Sequence, residues 1–253
     1  MKLNGRTILI TGGTSGIGLE LARQLVQRGN TVLITGRNQR SLDTAAASIP
    51  ARGYLSDVSK PDDIRALRER VLEDHPALDT VINNAGIMRN LNLNDPRTLS
   101  DVVQEIDIDL TGPIQMAQEF LPHLRTRRQA LLVNVSSGLA FIPFPLSPVY
   151  SAAKAGLHAF TRCLRVQLKG SSVAVVELAP PGVETKLFRD EFAKEMQGQK
   201  GMPAKALVEK AIAGIEAGKL EIRPGLSGVL YTLSRLAPSL PFSQMAKMVP
   251  PAR

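Results

Sequence analysis

The sequence predicts an α/β fold, a doubly wound parallel sheet with helices on both faces. Three observations predict it. Short β-branched runs alternate with longer stretches of helical periodicity. The short runs are nearly continuous in apolar residues, as strands covered on both faces should be. The alternation runs from Thr7 to Leu178 without a linker, so the 253 residues are read as one domain, 1–253.

The elements follow in order. Thr7–Ile10 is the first strand, and a helical pattern over Ile17–Arg28 begins almost at once. Thr31–Thr35 precedes a helix over Gln39–Ser48, and Arg52–Leu55 precedes one over Pro61–Glu73. Thr80–Asn83 leads to a long helical piece across Leu99–Arg125. Leu131–Val135, the helix Pro148–Gln167, the strand Ser172–Leu178 and a short strand Leu220–Ile222 complete the pattern. After Leu178 the periodicity loosens. Residues 185–202 carry mixed charges and include Gln197-Gly198-Gln199-Lys200-Gly201, which reads as a mobile flap over a substrate. The tail, 225–253, places Pro238, Pro241, Pro250 and Pro251 among Leu, Phe and Met, and reads as a packing arm or subunit contact. Leu230, Leu233, Leu236, Leu240 and Phe242 beside Arg235 and Lys247 give the alternative, a peripheral membrane contact.

Composition narrows the class. Cys163 is the single cysteine, which excludes an intrachain disulfide and fits a reducing, cytoplasmic compartment. Its apolar surroundings predict a buried structural thiol. The start, Met1 to Arg6, leaves no room for a signal-peptide apolar region, and no run of 18 or more uncharged apolar residues exists to span a membrane. The formal charge of +8 raises nucleic acid as a partner. The basic residues are scattered, however, Trp is absent, and no recognition motif accompanies them. The charge is therefore read as solvated surface, with some attraction for a phosphate-bearing ligand. No His, Cys or carboxylate cluster has metal-ligand spacing, so no metal is expected; His75, His123 and His158 are read as loop, interface or core residues.

Tyr150 and Lys154 carry the first chemical signal. Residues at i and i+4 share a helix face, so a phenol and an ammonium become neighbours. Unit charges ~4 Å apart at an effective dielectric of ~20 interact by about 4 kcal/mol. That is worth roughly three pKa units, enough to bring a tyrosine from ~10 toward ~7 and make it a proton exchanger near neutrality.

Thr11-Gly12-Gly13-Thr14-Ser15-Gly16-Ile17-Gly18 lies between the first strand and the first helix. Glycines there permit a tight turn and close approach to a pyrophosphate, while the helix N-terminus offers free N–H groups to the anion. A carboxylate at the end of the second strand would receive a ribose 2′-hydroxyl. Here Gly36 stands in that place, followed by Arg37, Asn38 and Arg40, a setting that would clasp a 2′-phosphate. The cofactor expected is thus NADP(H) rather than NAD(H). Asp57-Val58 after the third strand suits an adenine amino group, and Asn83-Asn84-Ala85-Gly86 ends the fourth strand as turn architecture beside the cofactor.

Taken together, Thr11–Gly18, Asn83–Gly86, Asn134-Val135-Ser136-Ser137 and Tyr150-Ser151-Ala152-Ala153-Lys154 resemble the signature set of the short-chain dehydrogenase/reductase family, from about Leu3 to Thr185. Val135 to Phe141 and Ala179-Pro180-Pro181 are similar to its DltE-like branch. The resemblance implies a Rossmann fold and hydride transfer at the C-terminal ends of the strands. It implies Tyr150 as general acid or base, Ser137 as hydrogen-bond donor to the substrate oxygen, and Lys154 as ribose ligand and tuner of Tyr150. Cofactor contacts are implied at Gly12, Thr14, Ser15, Gly16, Ile17, Gly18, Arg37, Asp57, Val58, Asn84, Ala85, Gly86, Tyr150, Lys154 and Pro180, with Val183 and Thr185 near the carboxamide. A homodimer or homotetramer is implied as well.

Two departures from the family pattern stand out. Asp109 occupies the place of an asparagine that supports a water chain to the lysine. A carboxylate there either orders water or traps Lys154 in an ion pair. Pro180-Pro181 replaces the usual Pro-Gly, stiffening the backbone under the nicotinamide. The uncharged stretch Gly138–Val149 and the flap should form the substrate pocket, favouring a lipophilic ketone, aldehyde or secondary alcohol. The competing readings are a non-catalytic NADP(H)-binding sensor or interaction module, and a membrane-surface protein acting through its tail.

Overall fold

Among the residues that the computed structural model describes, 1–195 and 197–249, the predicted alternation closes into one sheet. Its strands are β1 (Thr7–Ile10), β2 (Thr31–Gly36), β3 (Arg52–Leu55), β4 (Thr80–Asn83), β5 (Ala130–Val135), β6 (Val173–Leu178) and β7 (Glu221–Ile222). All pair in parallel, in the order β3-β2-β1-β4-β5-β6-β7. The helices are α1 (Gly16–Gln27), α2 (Gln39–Ser48), α3 (Pro61–Asp74), α4 (Leu99–Ile106), α5 (Gly112–Leu124), α6 (Pro148–Gln167), α7 (Lys186–Arg189), α8 (Ala204–Glu216), α9 (Leu226–Leu236) and α10 (Ser239–Ala246).

The two-residue period of a strand explains why the runs are apolar throughout. Ile8, Ile10, Val32, Ile34, Leu131 and Val133 face a core closed by α1, α2 and α8. Their neighbours Leu9, Leu33, Ala130 and Leu132 face a second core closed by α3, α5 and α6. Because β1 lies between β2 and β4, the winding reverses there. Such a reversal opens a crevice outside the carboxyl ends of the strands, where ligands of open α/β sheets bind.

The predicted long helix Leu99–Arg125 is broken. A π turn at Asp107–Thr111 separates α4 from α5, and the Gly112 N–H bonds back to the Asp107 carbonyl, five residues away. Pro113 supplies the reason, since it has no N–H to give the Asp109 carbonyl and an α-helical ladder cannot continue through it. This register shift sets the site of Asp109.

Cys163 corrects a second expectation, since the thiol is exposed. The buried stripe of α6 runs through Tyr150, Ala153, Lys154, Leu157, Thr161 and Leu164, and Cys163 falls beside it. The Pro-bearing tail forms α9 and α10; Pro250 and Pro251 lie outside the described residues. Leu230 is buried, whereas Leu236, Leu240 and Phe242 are exposed. Among the described residues, no helix is long and apolar enough to cross a membrane.

Candidate active site

A cleft of about 900 Å³ opens at the carboxyl ends of the strands. Its floor is the glycine turn after β1, where Gly12 and Gly16 have φ of +65° and +53°. A Cβ on Gly12 would lie 2.8 Å from the Ala85 Cα, so the turn touches the end of β4 directly. Thr11 and Asn84 hold this contact. The Thr11 hydroxyl accepts from the N–H groups of Asn84 and Ala85, both at 3.0 Å, and the Asn84 amide donates to the carbonyls of Thr11 (2.9 Å) and Gly12 (3.2 Å). The Asn83–Gly86 motif is therefore a clamp on the glycine turn. Gly18 belongs to the same clamp and does not line the cleft: a Cβ there would lie 2.3 Å from the Gly12 oxygen and 2.5 Å from the Asn84 Nδ2. Every other residue assigned to the cofactor or to catalysis lines the cleft. The cradle fits a pyrophosphate, since side chains are missing where the phosphates would approach and α1 starts there with open N–H groups.

At the outer end of this half, Arg37 is exposed and Asn38 caps α2 by accepting from the Ser41 N–H (3.0 Å). One oxygen of Asp57 is engaged by the Ser59 N–H and hydroxyl, at 3.0 and 2.7 Å.

The inner end brings Ser137, Tyr150, Lys154 and Asp109 together. Ser137 follows β5 and its hydroxyl accepts from the Leu139 N–H (3.1 Å), which holds it at the mouth of the Gly138–Ala140 turn. Lys154 is buried, with its ammonium 2.9 Å from Asp109 Oδ1, donating to the Val135 carbonyl at 3.1 Å and lying 5.6 Å from the centre of the Tyr150 ring. Asp109 is wholly buried, and its other oxygen accepts from the Ile87 N–H (3.2 Å). Gly86 must be glycine here, because a Cβ would lie 2.5 Å from Asp109 Oδ1. The carboxylate thus holds the lysine in an ion pair.

Lys154 lowers the proton affinity of Tyr150 as expected, but burial outweighs it. Burial pushes the phenol above its ordinary value; Lys154 pulls it down, Asp109 pushes it up again, and a hydrogen bond with Ser137 lowers it in part. Burial is the largest of these effects, and with Asp109 offsetting part of the lysine's pull the net direction is up, not down toward neutrality. For Lys154 itself burial favours the neutral amine, but Asp109 and then Tyr150 outweigh it and hold the ammonium charged. Burial pushes the Asp109 carboxyl up, opposed by Lys154 and the Ile87 N–H.

Several residues escaped the sequence reasoning. Glu177, buried on β6, accepts from the Ser136 hydroxyl (2.5 Å) and bonds His158 Nδ1 (2.7 Å), so Ser136 and His158 supply hydrogen-bond partners to a buried acid. Phe141 stacks edge-on against both His158 and Tyr231, linking this cluster to α9. The other half of the cleft is lined by Leu139, Phe144, Leu187, Phe188 and Phe192, and also by Met88, Leu226, Leu230, Met245 and Met248. The tail therefore forms a wall of the pocket. Phe192 of the flap is buried against Phe144, ring centres 5.7 Å apart. Among the described residues, no three His, Cys, Asp or Glu side chains gather as a metal site.

The chain matches the family described as short chain dehydrogenase over residues 6–196. It is 38% identical over 224 residues, 88% of this chain and 89% of the relative, to a Bacillus subtilis (strain 168) protein named uncharacterized oxidoreductase DltE. A Burkholderia cenocepacia short chain dehydrogenase solved with NADP superposes with a TM-score of 0.84 at 20% identity, over 99% of this chain and 100% of that one. A Burkholderia phymatum enzyme of the same class, solved with NAD, gives 0.82 at 21% identity, over 100% of both chains. The chain is thus a nucleotide-binding oxidoreductase of the short-chain dehydrogenase family, in its DltE-like branch.

Proposed function

We propose that the protein reduces lipophilic ketones or aldehydes with NADPH, with Tyr150 as the proton donor. The observation that carries this reading is the convergence of Ser137, Tyr150 and Lys154 at the inner end of a cleft whose other end is a phosphate cradle. When bound, the nicotinamide supplies the hydride. Ser137 holds the carbonyl oxygen, and the Tyr150 hydroxyl gives that oxygen its proton. A phenol whose proton affinity is raised is fully protonated at neutral pH, the state that reduction needs. The charged Lys154 offers its remaining N–H to the ribose and steadies the phenolate left behind. The Leu, Phe and Met lining of the outer half supports an apolar substrate.

The test is NADPH oxidation over a panel of carbonyl compounds. Turnover of hydrophobic ketones or aldehydes is expected, and turnover confined to small polar or anionic carbonyls would refute the substrate class. The ion pair holding Lys154 gives one argument for the second reading, a nucleotide-binding module without chemistry. NADPH binding without turnover of any carbonyl would favour it.

The NADP(H) preference rests on Arg37 lining the cleft where β2 ends without a carboxylate. A charge-assisted hydrogen bond contributes ~1.5–3 kcal/mol, so Arg37→Asp should lower the ratio of NADPH to NADH efficiency by about 10–100-fold. An unchanged ratio in steady-state kinetics would remove Arg37 from the assignment. The oligomeric assembly we propose is a homodimer or homotetramer, consistent with the exposed Leu99 and Val103 on α4.

A further inference from the structure

Behind Asp109 lies a second acid that the proposed chemistry leaves without a role. Glu105 sits on α4 one helical turn before Asp109, and none of its surface reaches solvent. Its Oε1 accepts from the Arg89 N–H at 2.8 Å, while its Oε2 is buried with no hydrogen-bond partner. Together the two acids pin alternate N–H groups of one segment, Asp109 that of Ile87 and Glu105 that of Arg89. Ile87 and Met88 of that segment line the cleft.

The charges around Glu105 do not balance a second carboxylate. The Arg89 guanidinium lowers the proton affinity of Glu105, but it is already bonded to Asp101 and Gln104 on α4. On the flap, Glu191 is another acid, accepting from the Asn90 N–H, and its charge raises the proton affinity of Glu105. From α6, the buried ammonium of Lys154 is already 2.9 Å from Asp109, and the Tyr150 phenol feels the charge of Glu105 as an opposing one. An ionised carboxylate with an unpartnered buried oxygen costs far more than a neutral acid in the same place.

We propose that Glu105 is a proton-holding positioning residue of the Ser137/Tyr150/Lys154 site. It holds a proton on the acid side of neutrality, so that Lys154 answers to one carboxylate, and its ionisation as pH rises through neutrality opposes phenolate formation at Tyr150. Burial, opposed by the N–H and the charge of Arg89 and reinforced by Asp109 and Glu191, pushes the carboxyl up to about 7, in accord with this geometry. The only bond that changes is the Glu105 O–H, whose proton goes to solvent as pH rises. Its significance for turnover rests on the carbonyl-reductase reading above.

Glu105→Gln is the informative variant, because the amide keeps an acceptor for the Arg89 N–H and mimics the neutral acid. Infrared spectra of the cofactor-free protein are expected to show a protonated-carboxyl band that disappears across neutral pH in the wild type and is missing from E105Q. The pH profile of kcat should lose its transition near neutrality in E105Q. Glu105→Asp, which keeps a titrating group, should move the band without deleting it, and serves should the glutamine variant fold poorly. A band absent from the wild type or retained in E105Q would overturn the assignment. A band lost with an unaltered kcat profile would overturn the positioning role. Absence of turnover in both proteins would count against the carbonyl-reductase reading alone, since the infrared band decides the proton on its own.

Discussion

Replacing Tyr150 by Phe is expected to lower kcat for carbonyl reduction by roughly 10²–10⁴-fold, the usual contribution of a positioned acid or base. NADPH affinity, measured by fluorescence titration, should stay as it is. The separation follows from geometry. The ring of Tyr150 is buried and packs beside Lys154, so Phe keeps the packing and loses only the hydroxyl. The phosphate cradle is built from residues 11–18 and 84–86, none of which bonds to the Tyr150 oxygen. A variant that turned over like the wild type would sink the proposed mechanism, and one that lost NADPH binding as well would make Tyr150 a binding residue. Since the phenol is pushed up and not down, Tyr150 should lose no proton between pH 6 and 8, and the kcat transition expected there is that of Glu105.

The half of the site that is made of backbone was legible in the sequence, and the half that depends on charge was not. Glycines mark positions where backbone approaches backbone, so Thr11–Gly18 and Asn83–Gly86 could be read as a cradle before the Asn84 clamp was visible. The strands were legible for a similar reason: apolar on both faces, they announce a sheet covered twice. Tyr150 and Lys154 were placed correctly by helical spacing, and Lys154 does lower the phenol, but the net direction was not legible. Spacing reports that two groups are neighbours, while burial and the third charge, Asp109, decide which protonation state wins.

The misread pieces left signals of their own. Pro113 stands inside the pattern read as one helix, and a proline there removes the N–H that the Asp109 carbonyl would need. Glu177 interrupts an apolar strand run, and an acid in a doubly covered strand requires buried partners, which Ser136 and His158 supply. The tail was read as packing, and the cleft takes Leu226, Leu230, Met245 and Met248 from it. Its prolines obscured the helical spacing that places them. Cys163 was misjudged because apolar neighbours in sequence are not neighbours on a helix face.

Lys154→Met is expected to have the largest effect on stability, because it leaves Asp109 buried and unpaired. Removing one member of a buried pair costs about 3–5 kcal/mol, whereas removing both charges costs far less. Asp109→Asn alone keeps an acceptor facing the lysine and should retain activity, which makes it the partner for a double-mutant cycle. In urea unfolding at pH 8, Lys154→Met/Asp109→Asn should recover most of the stability that Lys154→Met loses. The pH dependence follows from the raised proton affinity of Asp109. A carboxyl that binds its proton more tightly in the folded than in the unfolded chain destabilises the fold progressively as pH rises from the unfolded value through the folded one. Loss of the ammonium raises that affinity further, so the penalty in Lys154→Met should be smaller at pH 5 than at pH 8. A penalty equal at both pH values, or a double variant as unstable as the sum of the singles, would mean that packing around the lysine stem and not the ion pair holds this corner of the site. The family's usual asparagine would then differ from Asp109 only in shape. If the cycle closes as expected, this chain has exchanged a neutral amide for a charge that fixes Lys154 in the ammonium form before any ligand arrives.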